Sequence, residues 1–374
     1  MRKLLSTVSL SVATALLLTS GASVAGAEPS ADPSVSTSDV VGPITWKRNK
    51  AAKGFKGDAH VSDIVQVAGG DTYLCGLVAD QRGGTTAALW SSANATKWKP
   101  VKWSAPKGSA CHGLLSWDGG LMAIGSDGSG RIWTSEDGKS WTESTIEGST
   151  SLNDVAVTAD GLAIVGDVGL APDVSASLWL STDGVTWEEH PIAAEGSARH
   201  VVIAPDGTFV VAGKLPGEPP DGTGLPTVWT SSDGVAWEDV GPAGLTGDTW
   251  FIPTLRVTPA GYVLALSTYT EDLSIEASAW TSQDGADWQE TLAVEGDSIS
   301  AVGTVGPEAL LVGPGGTWRS ADGVEWTMTK EKAFAGYDVL GGIIQLADGR
   351  WLAAGDTFDP PEPGIATWIG TADG

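Results

Sequence analysis

A nine-residue segment that recurs along the chain constrains the fold more than any other feature of the sequence. We call this segment the box, and its pattern is W-x-S-x-D-G-x-x-W. Six copies align without gaps: Trp90–Trp98, Trp133–Trp141, Trp179–Trp187, Trp229–Trp237, Trp280–Trp288 and Trp318–Trp326. Only the first copy departs from the pattern, with Asn94 and Ala95 in place of Asp and Gly. The leading tryptophans lie 38 to 51 residues apart, a spacing typical of repeat architectures.

Each box has the chemistry of a tight turn between two strands. Asp-Gly between β-like runs is typical of a hairpin, because glycine adopts the left-handed backbone conformation at no steric cost. The Asp carboxylate and the Ser hydroxyl can accept hydrogen bonds from backbone N–H groups of the turn, and Asn94 can do the same in the first copy. The flanking tryptophans offer large apolar surfaces for packing between sheets, which explains why the chain has 18 of them.

A second unit, two apolar runs joined by a turn, precedes each box. Examples are Leu152–Val157 with Leu162–Val165, and Val201–Ala204 with Phe209–Ala212. Each period therefore holds four short strands, which we call A, B, C and D, and the box forms the C–D turn. Four strands in a period of about 40–50 residues are typical of a β-propeller blade.

The two ends of the chain fix the number of blades. Trp368 begins a seventh box that reaches Gly374 before a second tryptophan appears, and Ile44–Trp46 is strand-like with no strand C before it. We therefore predict an all-β, seven-bladed β-propeller of four-stranded antiparallel blades, in which the N-terminal strand completes the last blade. Such closure leaves no open sheet edge between the first and last blades. Six blades plus a stray hairpin is the alternative.

The first residues have the features of a secretory signal peptide. Two cations precede the apolar run Leu4–Leu18, and small residues at 25–27 form a cleavage site. The run is diluted by Ser and Thr and is shorter than the roughly 20 residues of a membrane span. The predicted organisation is a signal peptide at 1–27 cleaved after Ala27, a flexible Ser/Pro-rich leader at 28–43, and a propeller at 44–374. We expect the mature chain to be secreted, without membrane insertion.

The boxes resemble BNR/Asp-box repeats, which occur in sialidases and in non-catalytic propellers. The resemblance runs from about residue 44 to the C-terminus, and it implies a sialidase-like propeller in which the boxes are structural turns far from the ligand. It implies no activity, since one fold carries many functions. The arginine motif and arginine triad expected of a sialidase are missing: the only similar string is Phe251-Ile252-Pro253, which lacks the arginine.

The resemblance also implies that the ligand face lies opposite the boxes, where the first residues of each strand A surround the mouth of the central channel. The candidate ligand-binding residues at this position are His60, Asp63, His112, Asp154, Arg199, His200, Trp250 and Asp338. Ordinary solvated loop polarity is the alternative interpretation. No His-x-His or His-x-x-x-His spacing occurs, so we predict neither a metal site nor a cofactor.

Cations are concentrated in two predicted D-to-A connections that flank blade 1. They are Lys47, Arg48, Lys50, Lys53, Lys56, Lys97, Lys99, Lys102 and Lys107, in a chain of net charge −25. The acidic total makes nucleic-acid binding through the whole body improbable. The basic cluster suggests docking of an anionic polymer or an acidic partner, and ordinary solvated loops are the alternative.

The chain has two cysteines, Cys75 and Cys111. In a secreted protein a pair of cysteines is a candidate disulfide. Cys75 is placed at the end of strand B of blade 1 and Cys111 at the start of strand A of blade 2, so the sulfurs can meet across neighbouring blades. Two buried free thiols are the alternative.

These features favour a secreted, non-catalytic, monomeric propeller that binds a glycan or an extracellular or cell-envelope protein through the face opposite the boxes. The alternative is a glycoside hydrolase resembling sialidases or Asp-box polysaccharidases, with Asp63, Asp154 or Asp338 as acid/base candidates. A purely structural role in the cell envelope is a third possibility.

Overall fold

The computed structural model describes residues 41–49, 54–55, 57–170, 173–216, 224–241, 254–269, 275–334, 339–357 and 364–372. Within these residues the chain forms 28 strands and one short 3-10 turn, Lys332–Phe334. The strands make seven four-stranded antiparallel sheets, which confirms the predicted all-β propeller of seven blades. The signal peptide and leader up to residue 40, Lys50, Lys53, Lys56, Trp250 and Asp338 lie outside the described residues.

Blades 1 to 6 each take four consecutive strands, and blade 7 takes three strands from the C-terminal end and one from the N-terminal end. The N-terminal strand is β1 (Ile44–Asn49), and blade 1 is β2 (Asp58–Gln66), β3 (Thr72–Ala79), β4 (Thr85–Ser92) and β5 (Lys99–Pro100). Blade 2 is β6 (Ala110–Trp117), β7 (Gly120–Ser126), β8 (Gly130–Ser135) and β9 (Thr142–Ile146), and blade 3 is β10 (Ser149–Thr158), β11 (Gly161–Val168), β12 (Ser175–Ser181) and β13 (Glu188–Ala193). Blade 4 is β14 (Ser197–Ile203), β15 (Phe209–Leu215), β16 (Leu225–Ser231) and β17 (Glu238–Asp239), and blade 5 is β18 (Thr254–Thr258), β19 (Gly261–Tyr269), β20 (Ile275–Ser282) and β21 (Gln289–Glu295). Blade 6 is β22 (Ala301–Val305), β23 (Glu308–Gly313), β24 (Gly316–Ser320) and β25 (Thr327–Lys330), and blade 7 is β26 (Val339–Gln345), β27 (Trp351–Thr357), β28 (Gly364–Ala372) and β1.

Ring closure follows the predicted route, with β1 paired antiparallel to β28. In all seven blades the leading tryptophan of the box pairs with the residue two positions after the closing tryptophan. In blade 7 this partner of Trp368 is Arg48, so Trp46 stands where the other boxes have their second tryptophan. Trp46 is 7% exposed, and its ring centroid lies 5.1 Å from that of Phe334.

The box turns make the hydrogen bonds that the sequence predicts. In blade 3, Asp183 Oδ1 accepts from the N–H groups of Val185 at 2.8 Å and Thr186 at 2.7 Å, while Ser181 Oγ accepts from Gly184 N at 2.8 Å. Equivalent bonds recur in blades 4, 5 and 6.

The divergent first box keeps the turn through its asparagine. Asn94 Oδ1 accepts from the N–H groups of Thr96 and Lys97 at 3.0 and 2.9 Å. Ala95 takes the glycine position with φ of 59°, a left-handed conformation that costs an L-residue free energy. The turn geometry therefore survives the loss of both signature residues.

The core consists of apolar layers between neighbouring blades. Seven separate clusters of buried side chains exist among the described residues, and each contains one leading tryptophan of a box. These seven tryptophans are 0–7% exposed. The repeated tryptophan is thus the device that packs each sheet on the next, because one large side chain fills the gap between two twisted sheets.

Candidate ligand-binding site at the channel mouth

Strand A carries an irregularity at the same place in five blades. The register with strand B shifts by one residue there, which leaves one extra residue on strand A. A β-bulge of this kind turns a side chain out of the regular alternation. The extra residues are Ser62, His112, Asn153, Arg199 and Gly341, and all five line the central channel.

Glycines on strand B make room for these bulges. A Cβ atom on Gly76 would lie 1.9 Å from the carbonyl oxygen of His60, and one on Gly166 would lie 2.1 Å from that of Ser151. Real Cβ atoms do not approach backbone oxygens so closely, so only glycine fits where strand A bends toward strand B. The strand B glycine is therefore a sequence sign of the bulge.

The central channel opens into a cavity of about 430 Å³. Strand A of every blade contributes to its wall, either within the strand or, in blade 6, also through Ser298–Ser300 just before it. Most lining residues lie at the start or in the middle of strand A, whereas each box joins the end of strand C to the start of strand D. In an antiparallel blade these positions are at opposite ends, so the cavity lies nearer the face opposite the boxes.

Asp63 holds blades 1 and 2 together from within the cavity. Its Oδ1 accepts from Ile64 N at 2.7 Å, and its Oδ2 accepts from Leu114 N on β6 at 2.8 Å. Burial raises the pKa of Asp63 to about 7; the nearby Arg256 guanidinium opposes this shift, and the carboxylate of Asp154 adds to it. Asp63 therefore changes charge near neutral pH.

Asp154 occupies the equivalent position in blade 3 and joins it to blade 4. Its Oδ1 accepts from Val155 N at 2.9 Å, and its Oδ2 accepts from Val201 N at 3.1 Å with His200 Nδ1 at 3.2 Å. Burial alone would raise the pKa of Asp154, but the hydrogen bond and charge of His200, with Arg256 and Val201 N, hold it below its usual value. The two equivalent carboxyl groups thus titrate in different ranges.

Two other bulge residues bridge to the backbone of the next blade. His112 Nδ1 donates to the carbonyl of Leu152 at 2.9 Å, and Asn153 Nδ2 donates to that of Ala198 at 2.7 Å. Burial lowers the pKa of His112, and the charge of Arg199 lowers it further, although the bond to Leu152 opposes the shift. His112 is consequently a neutral donor at physiological pH.

Positive charge gathers where blades 4 and 5 meet the channel. Arg199 lies on β14 and Arg256 on β18, the first strands of these two blades, and both line the cavity. Arg256 Nη1 donates to the carbonyl of Leu255 at 2.8 Å, and Arg199 Nη2 lies 3.8 Å from Asp167 Oδ2. The pKa of the Lys214 ammonium is lowered, because the group is partly buried and lies near Arg199.

The structure brings together five of the eight residues that the sequence nominated for ligand binding. Asp63, His112, Asp154, Arg199 and His200 all line the cavity.

His60 is the exception among the described candidates. It lies outside the cavity lining, with Nδ1 2.9 Å from Asp356 Oδ2 of blade 7, and Asp356 Oδ1 accepts from Val61 N. His60 precedes the bulge, so its side chain meets the neighbouring blade rather than the channel.

Three charged residues at the site were not nominated from the sequence. Arg256 is the third residue of β18, and the alternation of Thr254, Leu255, Arg256 and Val257 could have placed it toward the channel. Asp167 and Lys214 lie on strand B, directly after the glycine opposite the bulge. The Gly-Asp and Gly-Lys pairs could have identified them, but only once the function of that glycine was understood.

The two cysteines meet beside the channel wall. The structure joins Cys75 of β3 to Cys111 of β6 in a disulfide, with 5.7 Å between their Cα atoms. Both are fully buried, and Cys111 directly precedes the bulged His112. Cys75 lies in the middle of β3 rather than at its end, because strand B of blade 1 continues to Ala79.

The described members of the basic cluster lie on the outer wall at blades 7 and 1. Lys102 and Lys107 follow β5, in the connection to blade 2 as predicted. Lys47 on β1, Lys99 on β5 and Lys97 in the first box turn lie outside the predicted D-to-A connections; all five are exposed. Arg48 lies with its guanidinium carbon 5.7 Å from the ring centroid of Trp368. Outer strands of other blades carry the opposite charge, as in Glu188–Ala193 and Glu238–Asp239.

Two further searches cover the described residues alone. No three His, Cys, Asp or Glu side chains among them are grouped so that they could hold a metal ion. No helix among them is long and apolar enough to cross a membrane.

Solved structures of other propellers share this fold. YCF48 bound to D1 peptide superimposes with a TM-score of 0.59 at 13% identity, covering 89% of this chain and 96% of that one. The extracellular domain of a one-component system from B. thetaiotaomicron gives 0.54 at 11% identity, covering 84% of this chain and 40% of that one. The β-propeller domain of the Trilobed protease from Pyrococcus furiosus gives 0.50 at 12%, covering 83% and 95%. No protein-family model and no curated protein matches the sequence.

Proposed function

We propose that this chain is a secreted, non-catalytic β-propeller that binds an extracellular protein partner or a glycan through the channel mouth opposite the boxes. The observation that carries the proposal is the bulge. One position, repeated in five blades and turned into the channel, holds Ser, His, Asn, Arg and Gly. A purely structural position would be filled alike in most blades, as the Asp-Gly pair is in the boxes of blades 2 to 6, whereas a ligand with an asymmetric surface requires different partners around the ring.

A peptide segment is the ligand class that we favour. YCF48, whose structure superimposes on this chain, is bound to a D1 peptide, and this likeness supports a peptide as the ligand. The cavity of about 430 Å³ is within the range of sites that enclose small ligands. It would hold the end of a peptide or one sugar ring, while the rest of the ligand extended over the face.

The bonding of the carboxyl groups supports binding rather than catalysis. Both oxygens of Asp63 and both oxygens of Asp154 accept backbone N–H groups. A general acid or base must exchange a proton with the substrate, and an oxygen held by the backbone is poorly placed for that exchange. The glycoside hydrolase alternative rests on the pKa of Asp63, about 7, which is suitable for a general acid.

A peptide array and a glycan array, probed with the mature protein, test the proposal. We expect binding that Arg199→Gln weakens and that Arg350→Gln leaves unchanged. Arg350 is the matched control, because it is ion-paired with Asp348 at 2.6 Å on the box face. Equal binding by both variants would place the ligand elsewhere, and turnover of fluorogenic glycosides that Asp63→Asn abolishes would favour the hydrolase.

We also propose that the exposed lysines at blades 7 and 1 dock an anionic polymer or acidic partner. Clustered cations on an acidic protein raise the local concentration of anions. The test is retention on a polyanionic cell-wall polymer. Replacing Lys97, Lys99 and Lys102 by Glu should reduce retention, whereas replacing Lys139 and Lys330, exposed lysines of blades 2 and 6, should not. Unchanged retention in the triple variant contradicts the proposal.

A further inference from the structure

The positive and negative side chains at the channel mouth do not form simple one-to-one pairs. Arg256 acts on both Asp63 and Asp154, because its charge opposes the upward shift of the Asp63 pKa and helps to lower that of Asp154. The charge of one guanidinium therefore acts on two carboxyl groups. When Asp63 holds a proton, Asp154 is the one of the two that still carries a negative charge.

Arg199, the second arginine that lines the cavity, is only weakly paired with a carboxylate. Arg199 lies 3.8 Å from Asp167 Oδ2 and 3.4 Å from Asn153 Oδ1, while Asp167 also accepts from Ser197 Oγ at 2.7 Å. The Lys214 ammonium lies near enough to Arg199 to be repelled by it. Arg199 thus has one carboxylate, Asp167, and a second cation, Lys214, beside it, in a protein of net charge −25.

We propose, on the basis of the binding function above, that the channel mouth takes a carboxylate between Arg199 and Arg256, and that Asp63 gains a proton from solvent as the carboxylate enters. Guanidinium groups bind carboxylates through paired, charge-assisted hydrogen bonds. The incoming carboxylate adds a negative charge near Asp63, and like charges in a buried site favour protonation of one of them. The protein therefore exchanges an internal anion for a ligand anion.

The surroundings of Asp63 assign the proton to this residue. The titratable or charged groups that face it across the cavity are His112 on β6, Asp154 on β10, Arg199 and His200 on β14, and Arg256 on β18. Strands β22 and β26 contribute only uncharged residues to the lining. Asp154 stays ionised through its bonds to His200 and Val201 N, and His112 is already neutral, so Asp63 and His200 are the groups to separate by experiment.

Titration calorimetry on the mature wild-type protein measures the linked proton directly. The probe is N-acetyl-trialanine with a free carboxyl group, and its C-terminal amide is the matched control. We expect binding of the acid alone, with uptake of up to about one proton at pH 7.5 when buffers of different ionisation enthalpy are compared. Methyl glucuronide against methyl glucoside is the second arm, which shows whether the carboxylate comes from a peptide end or from an acidic sugar.

The pH dependence separates Asp63 from His200. The affinity of the wild-type protein should rise as pH falls from 8 to 6, by at most about tenfold per pH unit for one linked proton. Asp63→Asn should bind tightly at pH 8 with little pH dependence, whereas His200→Gln should keep the dependence. Arg256→Gln should weaken binding of the acid by about tenfold or more.

Several outcomes would overturn the inference. Equal affinity for acid and amide excludes recognition of the carboxylate. Binding without proton uptake, or a pH dependence that His200→Gln removes, excludes the role of Asp63. Since proton uptake is measured on the wild-type protein, the test stands even if Asp63→Asn does not fold. A ligand found on the arrays that carries no carboxylate and is lost in Arg199→Gln would preserve the proposed function while refuting this inference.

Discussion

The box turns and the strand A bulges are both repeated around the ring, but they repeat in different ways. The boxes of blades 2 to 6 keep their Asp-Gly pair and the hydrogen bonds of its carboxylate. Their aspartates face solvent with a lowered pKa, to about 2 for Asp183, because turn N–H groups donate to the carboxylate. The bulges keep their backbone position and change their residue. Burial raises the pKa of Asp63 beside them to about 7. The residues that form the box turns are thus similar from blade to blade. The residues at the bulges, which are available for ligand binding, differ.

The difference has a structural cause. A box satisfies its own turn locally, so the same few residue types can form the turn in every blade. A bulge presents its side chain to the axis, where seven blades meet and no two neighbours are alike. Asp63 and Asp154, one residue after the bulge, bond to the backbone of the next blade, so the mouth also carries part of the contact between blades.

The largest loss of stability should come from a substitution in the seventh box, which is formed by residues from both ends of the chain. Trp46→Ala removes a side chain that is 7% exposed, and loss of a buried tryptophan costs about 3–5 kcal/mol of unfolding free energy. Chemical denaturation measures this loss. A chain that begins at residue 42 keeps Trp46 and is the control, whereas one that begins at residue 57 should lose at least as much stability as Trp46→Ala. Equal melting temperatures for the two truncations would contradict closure by β1.

The next effect concerns the disulfide beside the mouth. Reduction, or the Cys75→Ala/Cys111→Ala double variant, should lower the unfolding free energy by about 3–4 kcal/mol in the loop-entropy model, for a sequence separation of 36. Intact mass with and without reductant first establishes whether the bond is present in purified protein. Two free thiols in the native protein would refute the disulfide. An unchanged melting temperature on reduction would show that the packing of blade 1 against blade 2 does not depend on the disulfide.

A smaller effect is expected from the mouth itself. Asp154→Ala leaves the N–H groups of Val155 and Val201 without their acceptor, which costs about 1–3 kcal/mol. The seven blades should persist, so circular dichroism should match the wild type while the denaturation midpoint falls. Asp154→Asn keeps one acceptor oxygen and should lose less. If Asp154→Ala is as stable as the wild type, Asp154 does not stabilise the contact between blades 3 and 4. Its role would then be limited to ligand binding.

The smallest effect should come from a single box turn. Asp183→Ala removes the acceptor for two backbone N–H groups, but the turn is exposed and water replaces the carboxylate. We expect a decrease in the melting temperature well below that of Trp46→Ala, and a similar decrease for Asp233→Ala in blade 4.

The pH dependence of this last effect has a defined sign. Because the folded pKa of Asp183 is about 2, below the unfolded value near 3.8, its contribution is complete above pH 4 and is lost as the pH falls toward 2. The difference between Asp183→Ala and the wild type should therefore shrink as the pH approaches 2. A difference as large at pH 2 as at pH 6 would contradict the role of the carboxylate.

The sequence determined the fold almost completely, because the information is local and repeated. The spacing of Trp90, Trp133 and their equivalents gave the blade, the Asp-Gly pair gave the C–D turn, and the unpaired tryptophans at 46 and 368 gave the closure. Each of these signals arises within a few residues or from one long repeat, so no knowledge of contacts between blades was needed.

The sequence alone predicted only part of the candidate site. Counting residues from the start of strand A placed Asp63, Asp154 and Arg199 at the channel, where the structure also has them. It misplaced His60, which bonds to Asp356 of blade 7. Arg256 and Lys214 were missed, because their relevance depends on which side of a strand faces the axis and on which residue of the next blade lies opposite.

The sequence by itself thus determined the number of blades, the positions of the turns and the way the ring closes, all of which follow from short-range chemistry that recurs. The tertiary structure alone decided which side chains enter the channel, and it placed two carboxyl groups there under the influence of the Arg256 charge. A one-residue bulge reverses the direction of a side chain, and the pKa of Asp63 follows from burial and from charges on other blades. Both are properties of the assembled ring, in which residues far apart in the chain share one buried space.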